Sequence, residues 1–289
     1  MRSLSPQPAA EGRTLRILVT GGSGQFGQAF LRQAGRHALR LPGHAELPIE
    51  DAAAVDAALQ AHAPDWVVHA AAMTDVDGCE RDPARAHAVN AVGSANLAAA
   101  AARRGARMVL VSTDYVFDGR KGDYRETDAT HPLNAYGRSK LEGERLAQAA
   151  LPSVCVARTS VVFSPTRNNF VLWVQRSLAA GKPVKAVHDQ WVTPTAADDL
   201  ARQVLALVEA GASGVYHTAG AERLSRLEMA QRIAAHFGLD PAPLQRVSMD
   251  DLPWTAPRPR DSSLSTAKIA RLCPPLGFDA ALDTLGDAP

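Results

Sequence analysis

The stretch LRILVTGGSGQFG, residues 15–27, indicates how the chain begins to fold. Its first six residues have the apolar character of a short buried strand, and the helical run QAFLRQAGR follows it. Between them stand Gly21, Gly24 and Gly27. In such a unit the first glycine makes a tight turn, the second lets a pyrophosphate approach the backbone, and the third allows close helix–strand packing. Because the helix N-terminus then favours phosphate, the stretch predicts a dinucleotide site. A glycine-rich turn without a ligand is the alternative.

The same alternation continues along the chain. Strand-like runs recur as DWVVHAAAM from Asp65, ARMVLVST from Ala106 and SVCVARTSVVF from Ser153, and helical stretches separate them. One such helix is predicted from about Asn134 to Ala149. Regular alternation of strand and helix is typical of parallel sheets with helices on both faces. We therefore predict an α/β fold with a doubly wound parallel sheet.

The pattern also predicts how the chain is divided. Residues 1–14 contain Pro, Ser, Gln and Gly and are expected to form a flexible leader. Residues 15–158 are expected to form the dinucleotide-binding domain, and an amphipathic segment at about residues 193–212 returns to it. Beyond residue 158 the alternation loosens, so residues 159–289 mainly form a smaller C-terminal lobe that binds the substrate.

Composition excludes several classes of function. The 31 basic and 30 acidic residues leave a net charge of +1, so we expect neither nucleic acid nor an anionic membrane as a partner. No apolar stretch has the length of a membrane-spanning helix. The three cysteines are isolated, which suits a reducing cytoplasm, and the nine histidines have no metal-ligand spacing, so we predict no metal.

Several side chains are candidates for contact with the dinucleotide. Ser23 and Gln25 lie in the glycine loop, and the small residues Ala70–Ala72 would let the backbone lie against a cofactor. Near the end of the second strand an NAD site usually has an acidic residue, but here Arg40 stands close by. An arginine there suits a 2′-phosphate and favours NADP over NAD. A surface arginine without that role is the alternative.

The chemistry is expected between Ser112 and Lys140. Thr113 ends a strand, at the edge of an open α/β sheet where ligands bind. Tyr136 and Lys140 are four residues apart in the predicted helix and share one face. A neighbouring ammonium lowers the pKa of a phenol, which makes Tyr136 a candidate proton donor. The alternative is a solvated helix face. Asn90, within an earlier helical stretch, is expected to make a structural hydrogen bond or a link to the active site.

A family resemblance rests on eight segments. In order, they are TGGSGQFG, AAMTDVDGCE, STDYVFDG, PLNAYGRSKLEGE, RTSVVF, NNF, DQWVTPT and RPRDSSLST. They resemble the extended short-chain dehydrogenase/reductases and, more narrowly, the dTDP-4-dehydrorhamnose reductase group, over roughly residues 15–272. The glycine loop and Tyr-x-x-x-Lys are shared across the superfamily, whereas STDYVFDG, PLNAYGRSKLEGE and the late RP-x-x-S-x-L element are more specific.

The resemblance implies a Rossmann-type fold and reduction of a nucleotide-linked 4-keto-6-deoxy sugar by NADP or NAD. It implies a catalytic triad of Thr113, Tyr136 and Lys140. With Arg40 added from the argument above, the predicted cofactor contacts are Gly21, Ser23, Gly24, Gln25, Phe26, Gly27, Arg40, Ile49, Ala70, Ala71, Ala72, Tyr136 and Lys140. The predicted substrate contacts are Thr113, Asp114, Val161, Asn169, Gln190 and Arg258. Arg258 suits a phosphate, and a solvated arginine in a Pro-rich loop is its alternative.

Three positions depart from the family pattern. An Asp-Ile pair that often lies beside the adenine is replaced by Pro48 and Ile49. A tryptophan that often follows the RTS segment is replaced by Val161, and the usual DQxGxPT element contains Trp191 and Val192. Two of these changes concern the substrate side, so the resemblance supports reductase chemistry more strongly than a particular sugar.

Other functions stay open at this point. The regulatory β subunit of methionine adenosyltransferase is similar to the same family and binds a partner instead of acting as an independent enzyme. An epimerase or dehydratase of the same fold ranks last, because dehydratases usually have an acidic pair after the catalytic threonine and here Tyr115 follows Asp114. The oligomeric state, a homodimer included, is also open.

Overall fold

The computed structural model describes residues 13–286, and its secondary structure alternates as the sequence predicts. The strands are β1 Arg16–Thr20, β2 Ala38–Arg40, β3 Trp66–His69, β4 Arg107–Thr113, β5 Cys155–Thr159, β6 Val162–Phe163, β7 Val184–Val187, β8 Trp191–Val192, β9 Thr195–Ala196, β10 Gly214–His217, β11 Leu224–Ser225 and β12 Leu244–Val247. The helices are α1 Gln25–Gln33, α2 Ala52–His62, α3 Val76–Arg81, α4 Pro83–His87, α5 Gly93–Arg103, α6 Ala135–Ala150, α7 Phe170–Ala179, α8 Ala197–Glu209, α9 Arg226–His236 and α10 Phe278–Asp283. A π-helical turn, Ala88–Val92, joins α4 to α5.

A six-stranded parallel sheet in the order β10-β5-β4-β3-β1-β2 forms the centre of the fold. Its inner strands β1, β3 and β5 are mostly apolar and are buried along nearly their whole length, because helices cover both faces. Helices α1 and α8 pack on one face, and α2, α5 and α6 pack on the other. The predicted doubly wound α/β fold is therefore confirmed.

A second hydrophobic core lies away from the sheet. It joins α7, α9 and α10 to the short strands β7, β8 and β9. Three two-stranded pairs, β11-β8, β12-β7 and β6-β9, accompany these helices. These elements all lie beyond residue 158, in the part of the chain for which a separate lobe is predicted.

Two elements beyond residue 158 belong with the central sheet. Helix α8 lies in the segment predicted to return, and it packs against α1. Strand β10, Gly214–His217, pairs with β5 and extends the sheet past residue 212. The predicted leader, residues 1–14, lies outside the described residues except for Arg13 and Thr14. None of the helices within residues 13–286 is long and apolar enough to cross a membrane.

A buried ion pair fixes helix α6 to the sheet. Glu144 accepts hydrogen bonds from Nε of Arg158 at 3.0 Å and from its Nη2 at 2.7 Å. Both side chains are at least 94% buried. Ser112 donates a further hydrogen bond to Glu144 from β4, and the Arg158 guanidinium lies over the ring of Phe117. One carboxylate therefore ties α6 to both β4 and β5.

Replacing Arg158 tests this anchor. We expect Arg158→Met to lower the free energy of unfolding by about 3–5 kcal/mol, because it leaves the Glu144 carboxylate buried without its cation. The matched control is Arg145→Met on the same helix, where the arginine is mostly exposed and its nearest carboxylate contact, to Glu142, is 3.8 Å. The control should change stability by less than about 0.5 kcal/mol. Denaturant unfolding measures both, and equal losses in the two variants would contradict the anchor.

Candidate active site

The glycine loop and the carboxyl ends of the strands enclose a cavity of about 610 Å³. Among the residues that line it are Gly21, Ser23, Gly24, Gln25, Phe26, Ile49, Ala70, Ala71, Ala72, Tyr136 and Lys140. All of these belong to the predicted cofactor set. The loop, three strand ends and helix α6 therefore bring most of the predicted residues to one place, which we call the cofactor cavity.

The glycines of the loop leave no room for side chains. Gly21 has a φ of 73°, and a Cβ there would lie 2.7 Å from the backbone nitrogen of Ala71. A Cβ on Gly27 would lie 2.6 Å from the Gly21 carbonyl oxygen. Gly24 is the N-cap of α1 and offers no side-chain cap. The first backbone N–H groups of α1 thus stay available to a phosphate, as a dinucleotide requires.

A chain of buried hydrogen bonds supports the Ala70–Ala72 wall. Ser94 donates to the Asn90 carbonyl at 2.7 Å, so it accepts from Nε2 of His69 at 3.1 Å. The other ring nitrogen, Nδ1, then accepts from Thr20 at 2.6 Å. Burial, with the nearby Lys140 charge, lowers the pKa of His69 to about 3. A neutral histidine of fixed tautomer therefore holds the ends of β1 and β3 in register beneath the cavity.

Helix α6 presents the predicted tyrosine and lysine to the cofactor cavity. Asn134 caps the helix by accepting from the Gly137 N–H at 2.8 Å. Lys140 lies one turn after Tyr136 and donates to the Val111 carbonyl at 2.8 Å. Burial lowers the pKa of Lys140 to about 8, against a smaller opposing effect of the Glu144 carboxylate. The Lys140 ammonium thus lies at the wall of the cofactor cavity, where burial makes its charged form less favourable than in water.

The pKa of Tyr136 shifts in the direction opposite to the sequence prediction. Burial raises it above its usual value, and a contact from the Thr113 hydroxyl lowers it by less. Lys140 was expected to lower this pKa, but its ammonium is directed to the Val111 carbonyl. The phenol is therefore protonated at neutral pH, as a proton donor must be.

Asn90 connects helix α6 to the wall of the cofactor cavity through hydrogen bonds. Its amide donates to the Ser139 hydroxyl at 2.9 Å and to the Met73 carbonyl at 3.0 Å, and it accepts from the Met73 N–H at 2.8 Å. The residue lies in the π-helical turn, a feature often found at functional sites. The expected structural hydrogen bond is confirmed, and it reaches the catalytic helix through Ser139, which in turn donates to the Tyr136 carbonyl.

Asp114 does not face either of the cavities described here. It is 2% exposed, and it accepts from the hydroxyls of Thr113, Ser160 and Ser262 at 3.0, 2.8 and 2.6 Å. The predicted contact of Asp114 with the sugar nucleotide stays a prediction, and this side chain is not among the residues that line either cavity. Asp114 lies behind Thr113, because three hydroxyl donors from separate segments offer it a buried site.

A second cavity of about 430 Å³ lies on the other side of Tyr115. Its walls are Tyr115, Phe170, Trp173, Lys185, Val187, Gln190, Arg226, Leu252, Trp254 and Arg258. Two of the predicted substrate residues, Gln190 and Arg258, are among them. Four aromatic rings and three cations thus surround one space, which we call the aromatic cavity.

Two arginines of the aromatic cavity are held differently. Arg258 is paired with Asp77 through bonds of 2.6 and 3.0 Å, and this pairing lowers the pKa of Asp77 to about 2. Arg226 lies over the Phe170 ring and contacts the Gln190 amide, and its buried Nη1 has no hydrogen-bond partner. A buried guanidinium nitrogen without a partner is costly unless an anion meets it.

The two cavities meet at a pair of tyrosines. Tyr136 lines the cofactor cavity, Tyr115 lines the aromatic cavity, and their ring centroids are 5.7 Å apart in an edge-to-face arrangement. The Thr113 hydroxyl accepts the Tyr115 N–H at 3.2 Å. Of the predicted triad, Tyr136 therefore lies at the junction of the two cavities and Lys140 lines the cofactor cavity. Thr113 is 6% exposed and is not among the residues that line either cavity.

Two other predicted residues lie elsewhere. Arg40 pairs with Glu46 and is absent from the walls of the cofactor cavity, so its proposed contact with a 2′-phosphate loses its geometric basis. Asn169 caps α7 by accepting from the Leu172 N–H, and its amide donates to Gln25 at 3.2 Å. Asn169 thus joins the glycine loop to the lobe and does not line the aromatic cavity.

The departures from the family pattern also lie outside the aromatic cavity. Val161 has a φ of 44°, which is rare for a β-branched residue, and it packs against the core of the lobe. Trp191 belongs to β8, and its ring lies under the Arg223 guanidinium. Neither residue is part of the walls where we expected them to influence the substrate.

Sequence reasoning missed eight of the ten residues of the aromatic cavity, namely the apolar Val187 and Leu252 and six aromatic or charged residues. These six are Tyr115, Phe170, Trp173, Lys185, Arg226 and Trp254. Tyr115 stands inside the STDYVFDG segment and Trp254 stands just before RPRDSSLST, so closeness to these segments was a usable signal. Arg226 carries no such signal, because its role depends on how α9 packs against α7.

Comparisons with known proteins identify the family of the chain. The family described as RmlD substrate binding domain matches residues 15–285. The dTDP-4-dehydrorhamnose reductase of Mycobacterium tuberculosis is 41% identical over 96% of this chain and 94% of its own length. The dTDP-4-keto-6-deoxy-D-glucose reductase of Streptomyces niveus is 36% identical over 86% of this chain and 87% of its own.

Solved structures of other proteins share the fold of this chain. The dTDP-4-dehydrorhamnose reductase of Bacillus anthracis, crystallised in complex with NADP, superimposes with a TM-score of 0.89 at 27% identity, over 94% of this chain and 99% of that one. A Thermus thermophilus UDP-glucose 4-epimerase has a TM-score of 0.79 at 21% identity over 95% of this chain and 100% of that one, a likeness that concerns the fold alone.

Lysine titration gives a test of the site that needs no substrate. Burial lowers the pKa of Lys140 from 10.5 to about 8, so between these values the unfolded chain binds more protons than the folded one. Stability from this group therefore rises with pH. Relative to Lys140→Met, the wild type should gain about 2 kcal/mol in free energy of unfolding from pH 7 to pH 10.

The control for this titration is Lys182→Met, at an exposed position of the lobe. Its stability relative to the wild type should stay constant over the same range of pH. Denaturant unfolding at several pH values measures all three proteins. A constant difference between the wild type and Lys140→Met would contradict the buried ammonium.

Proposed function

The chain belongs to the RmlD substrate binding domain family, and on that premise we propose that it reduces the ketone of a nucleotide-linked 4-keto-6-deoxy sugar with NADPH or NADH. One observation carries the proposal. The phenol of Tyr136 lies where the cofactor cavity meets a second cavity rich in aromatic rings and cations. A reductase of a nucleotide sugar needs a proton donor between a dinucleotide and a nucleoside diphosphate.

The cofactor cavity fits a nicotinamide dinucleotide. The loop of Gly21, Gly24 and Gly27 and the open N-terminus of α1 would hold the pyrophosphate, and Ala70–Ala72 would lie along the cofactor. When bound, the reduced nicotinamide supplies a hydride to the ketone carbon. The protein's part is to align the two reactants and to stabilise the charge that develops on the ketone oxygen.

Tyr136 provides the proton that this oxygen takes up. Its raised pKa keeps the phenol protonated at neutral pH, so the donor is loaded before hydride arrives. Loss of the proton leaves a phenolate on a partly buried side chain. The ammonium of Lys140 on the next turn would stabilise this phenolate only after turning away from the Val111 carbonyl. Lys140 would also hold the ribose of the nicotinamide, and Thr113 would hydrogen-bond the ketone oxygen.

The aromatic cavity fits a nucleoside diphosphate. Arg226, Arg258 and Lys185 supply positive charge for two phosphates, and guanidinium groups can bind phosphate oxygens in pairs. The rings of Trp173 and Trp254 offer flat apolar surfaces to a base. The sugar would then reach from this cavity towards Tyr136. We propose dTDP-4-dehydrorhamnose as the first substrate to test and dTDP-4-keto-6-deoxy-glucose as the second.

The choice between NADP and NAD and the cellular location are also part of the proposal. The preference for NADP rested on Arg40, which pairs with Glu46 instead of lining the cofactor cavity, so both cofactors belong in the assay. We place the enzyme in the cytoplasm, where its three cysteines, all buried and free, can stay reduced. That the protein forms a homodimer stays a separate prediction.

The central test measures turnover with Tyr136→Phe. Purified wild-type protein should oxidise NADPH or NADH in the presence of dTDP-4-dehydrorhamnose. Loss of the proton donor should lower kcat on the order of 10²- to 10⁴-fold and leave the Kd of the cofactor within about twofold. The control, Tyr216→Phe on β10, removes a hydroxyl far from both cavities and should leave kcat unchanged.

Turnover also separates the competing functions. A wild-type protein that binds the cofactor but oxidises none of it with either keto sugar would refute the reductase and favour a binding subunit. Conversion of a 4-hydroxy sugar into its epimer, with no net oxidation of cofactor, would favour an epimerase.

A second test concerns the substrate cavity. Arg226→Gln removes a cation whose buried Nη1 has no hydrogen-bond partner in the described part of the chain, so we expect KM for the nucleotide sugar to rise about 10- to 100-fold. The Kd of the cofactor should not change. Arg246→Gln, an exposed arginine on β12 of the same lobe, is the control and should leave KM unchanged. An unchanged KM in Arg226→Gln would exclude the aromatic cavity as the phosphate site.

A further inference from the structure

The hydroxyl of Thr113 has one proton and, besides its contact with the Tyr136 phenol, two partners in its own turn. Its oxygen lies 3.0 Å from Oδ1 of Asp114, and it accepts the Tyr115 N–H at 3.2 Å. A hydroxyl donates a single hydrogen bond. If Asp114 is a carboxylate, which can only accept, the Thr113 proton must point at it. Thr113 could then accept further hydrogen bonds but donate none.

This arrangement conflicts with the reaction. A ketone oxygen, and the alkoxide that forms from it, offer lone pairs only, so a neighbour stabilises them by donating a hydrogen bond. An ionised Asp114 therefore withdraws the donor that the oxygen needs. The geometry leaves one way to keep Thr113 as a donor.

A neutral Asp114 resolves the conflict without moving an atom other than hydrogen. Its other oxygen, Oδ2, already accepts from Ser160 at 2.8 Å and from Ser262 at 2.6 Å. A proton on Oδ1 would be donated to the Thr113 oxygen, and the Thr113 proton would turn towards the substrate. Each polar atom of the carboxyl group then has a partner, as a buried group requires.

The surroundings of Asp114 favour this neutral form. The side chain is 2% exposed, and no Lys, Arg or His among residues 13–286 forms an ion pair with it. Burial raises its pKa, and the three hydroxyls and the more distant Arg226 of α9 oppose that shift. The other ionisable groups that face it are Tyr115 in its own turn and Tyr136 on α6, both protonated at neutral pH.

We propose that Asp114 acts as a neutral carboxylic acid that donates to Thr113, so that Thr113 donates to the ketone oxygen of the substrate. Asp114 is then a positioning residue, because it reaches the reacting atoms only through Thr113. The inference rests on the proposed function, and it gives the late RPRDSSLST segment a task, since Ser262 of that segment holds the acceptor oxygen of Asp114 in place.

Asp114→Asn is the decisive variant. An amide cannot ionise, its N–H can donate to Thr113 as the acid would, and its carbonyl can accept from Ser160 and Ser262. We expect kcat to stay within about fivefold of the wild type, an effect no larger than the net contribution of one typical hydrogen bond. Thr113→Val should lower kcat on the order of 10²- to 10³-fold, as the loss of one oxyanion donor does.

Two further measurements separate this role from a structural one. Towards high pH, kcat of the wild type should show an additional fall that Asp114→Asn lacks, because ionisation of Asp114 takes back the Thr113 proton. Titration of Lys140 and Tyr136 is common to both proteins and cancels in the comparison. In the Thr113→Val background, Asp114→Asn should cause no further loss of kcat.

Infrared spectroscopy provides a readout that does not depend on activity. The wild type should show the carbonyl stretch of a protonated carboxylic acid, and its difference spectrum against Asp114→Asn should assign the band. The band should vanish as pH rises, which can be followed in the wild type even if the variant does not fold.

Each result decides one claim. A kcat for Asp114→Asn as low as that of Thr113→Val, in a variant with an unchanged melting temperature and cofactor Kd, would overturn the proposal. So would a wild-type spectrum without the acid band, or a Thr113→Val variant with nearly full kcat. Absence of turnover in the wild type with both keto sugars would instead refute the proposed function, and the infrared result would still decide the protonation state of Asp114.

Discussion

The ion pair between Glu144 and Arg158 is the constraint on which the candidate site depends. A buried charged pair contributes little to net stability, but it penalises any arrangement that separates the partners. Here the partners belong to α6 and β5, and Ser112 of β4 binds the same carboxylate. The tyrosine and lysine on α6 therefore have a defined position relative to Thr113, the last residue of β4. The geometry of the triad follows from this buried pair, because the triad residues make few strong bonds to one another.

A second set of contacts connects the lobe to that rigid unit. Ser262 reaches Asp114, Arg258 pairs with Asp77, and the Pro257 carbonyl accepts from the amide of Asn134, the residue that caps the catalytic helix. All three contacts come from one short segment of the lobe. The wall of the aromatic cavity and the start of α6 therefore share partners, so a shift of the segment would be felt at both.

The sequence predicted the parts of the protein that local patterns determine. The glycine loop, the parallel sheet and the helix that carries Tyr136 and Lys140 each follow from residues close together in the chain. The hydrogen-bonded, buried position of Asp114 does not follow from nearby residues, because one of its partners, Ser262, is 148 positions away. The ion pair of Arg40 does not follow either, because no spacing rule signals its partner Glu46, six positions later. The aromatic cavity draws its walls from helices α7 and α9, strand β7 and several loops that are far apart in the sequence, and no period in the sequence marks them.

The separate core of the lobe has an evolutionary consequence. Most residues of the aromatic cavity lie beyond residue 158, in segments that pack around their own hydrophobic centre and not between the helices of the central sheet. Substitutions there alter the shape and charge of the cavity while the sheet, the glycine loop and the catalytic helix keep their packing. If the aromatic cavity binds the substrate as proposed, such a division would let a lineage change the sugar it accepts in small steps without losing hydride transfer. Tyr115 is the exception, because it lines the aromatic cavity and its ring also contacts Tyr136. A substitution at Tyr115 would therefore affect both the cavity and the proposed proton donor.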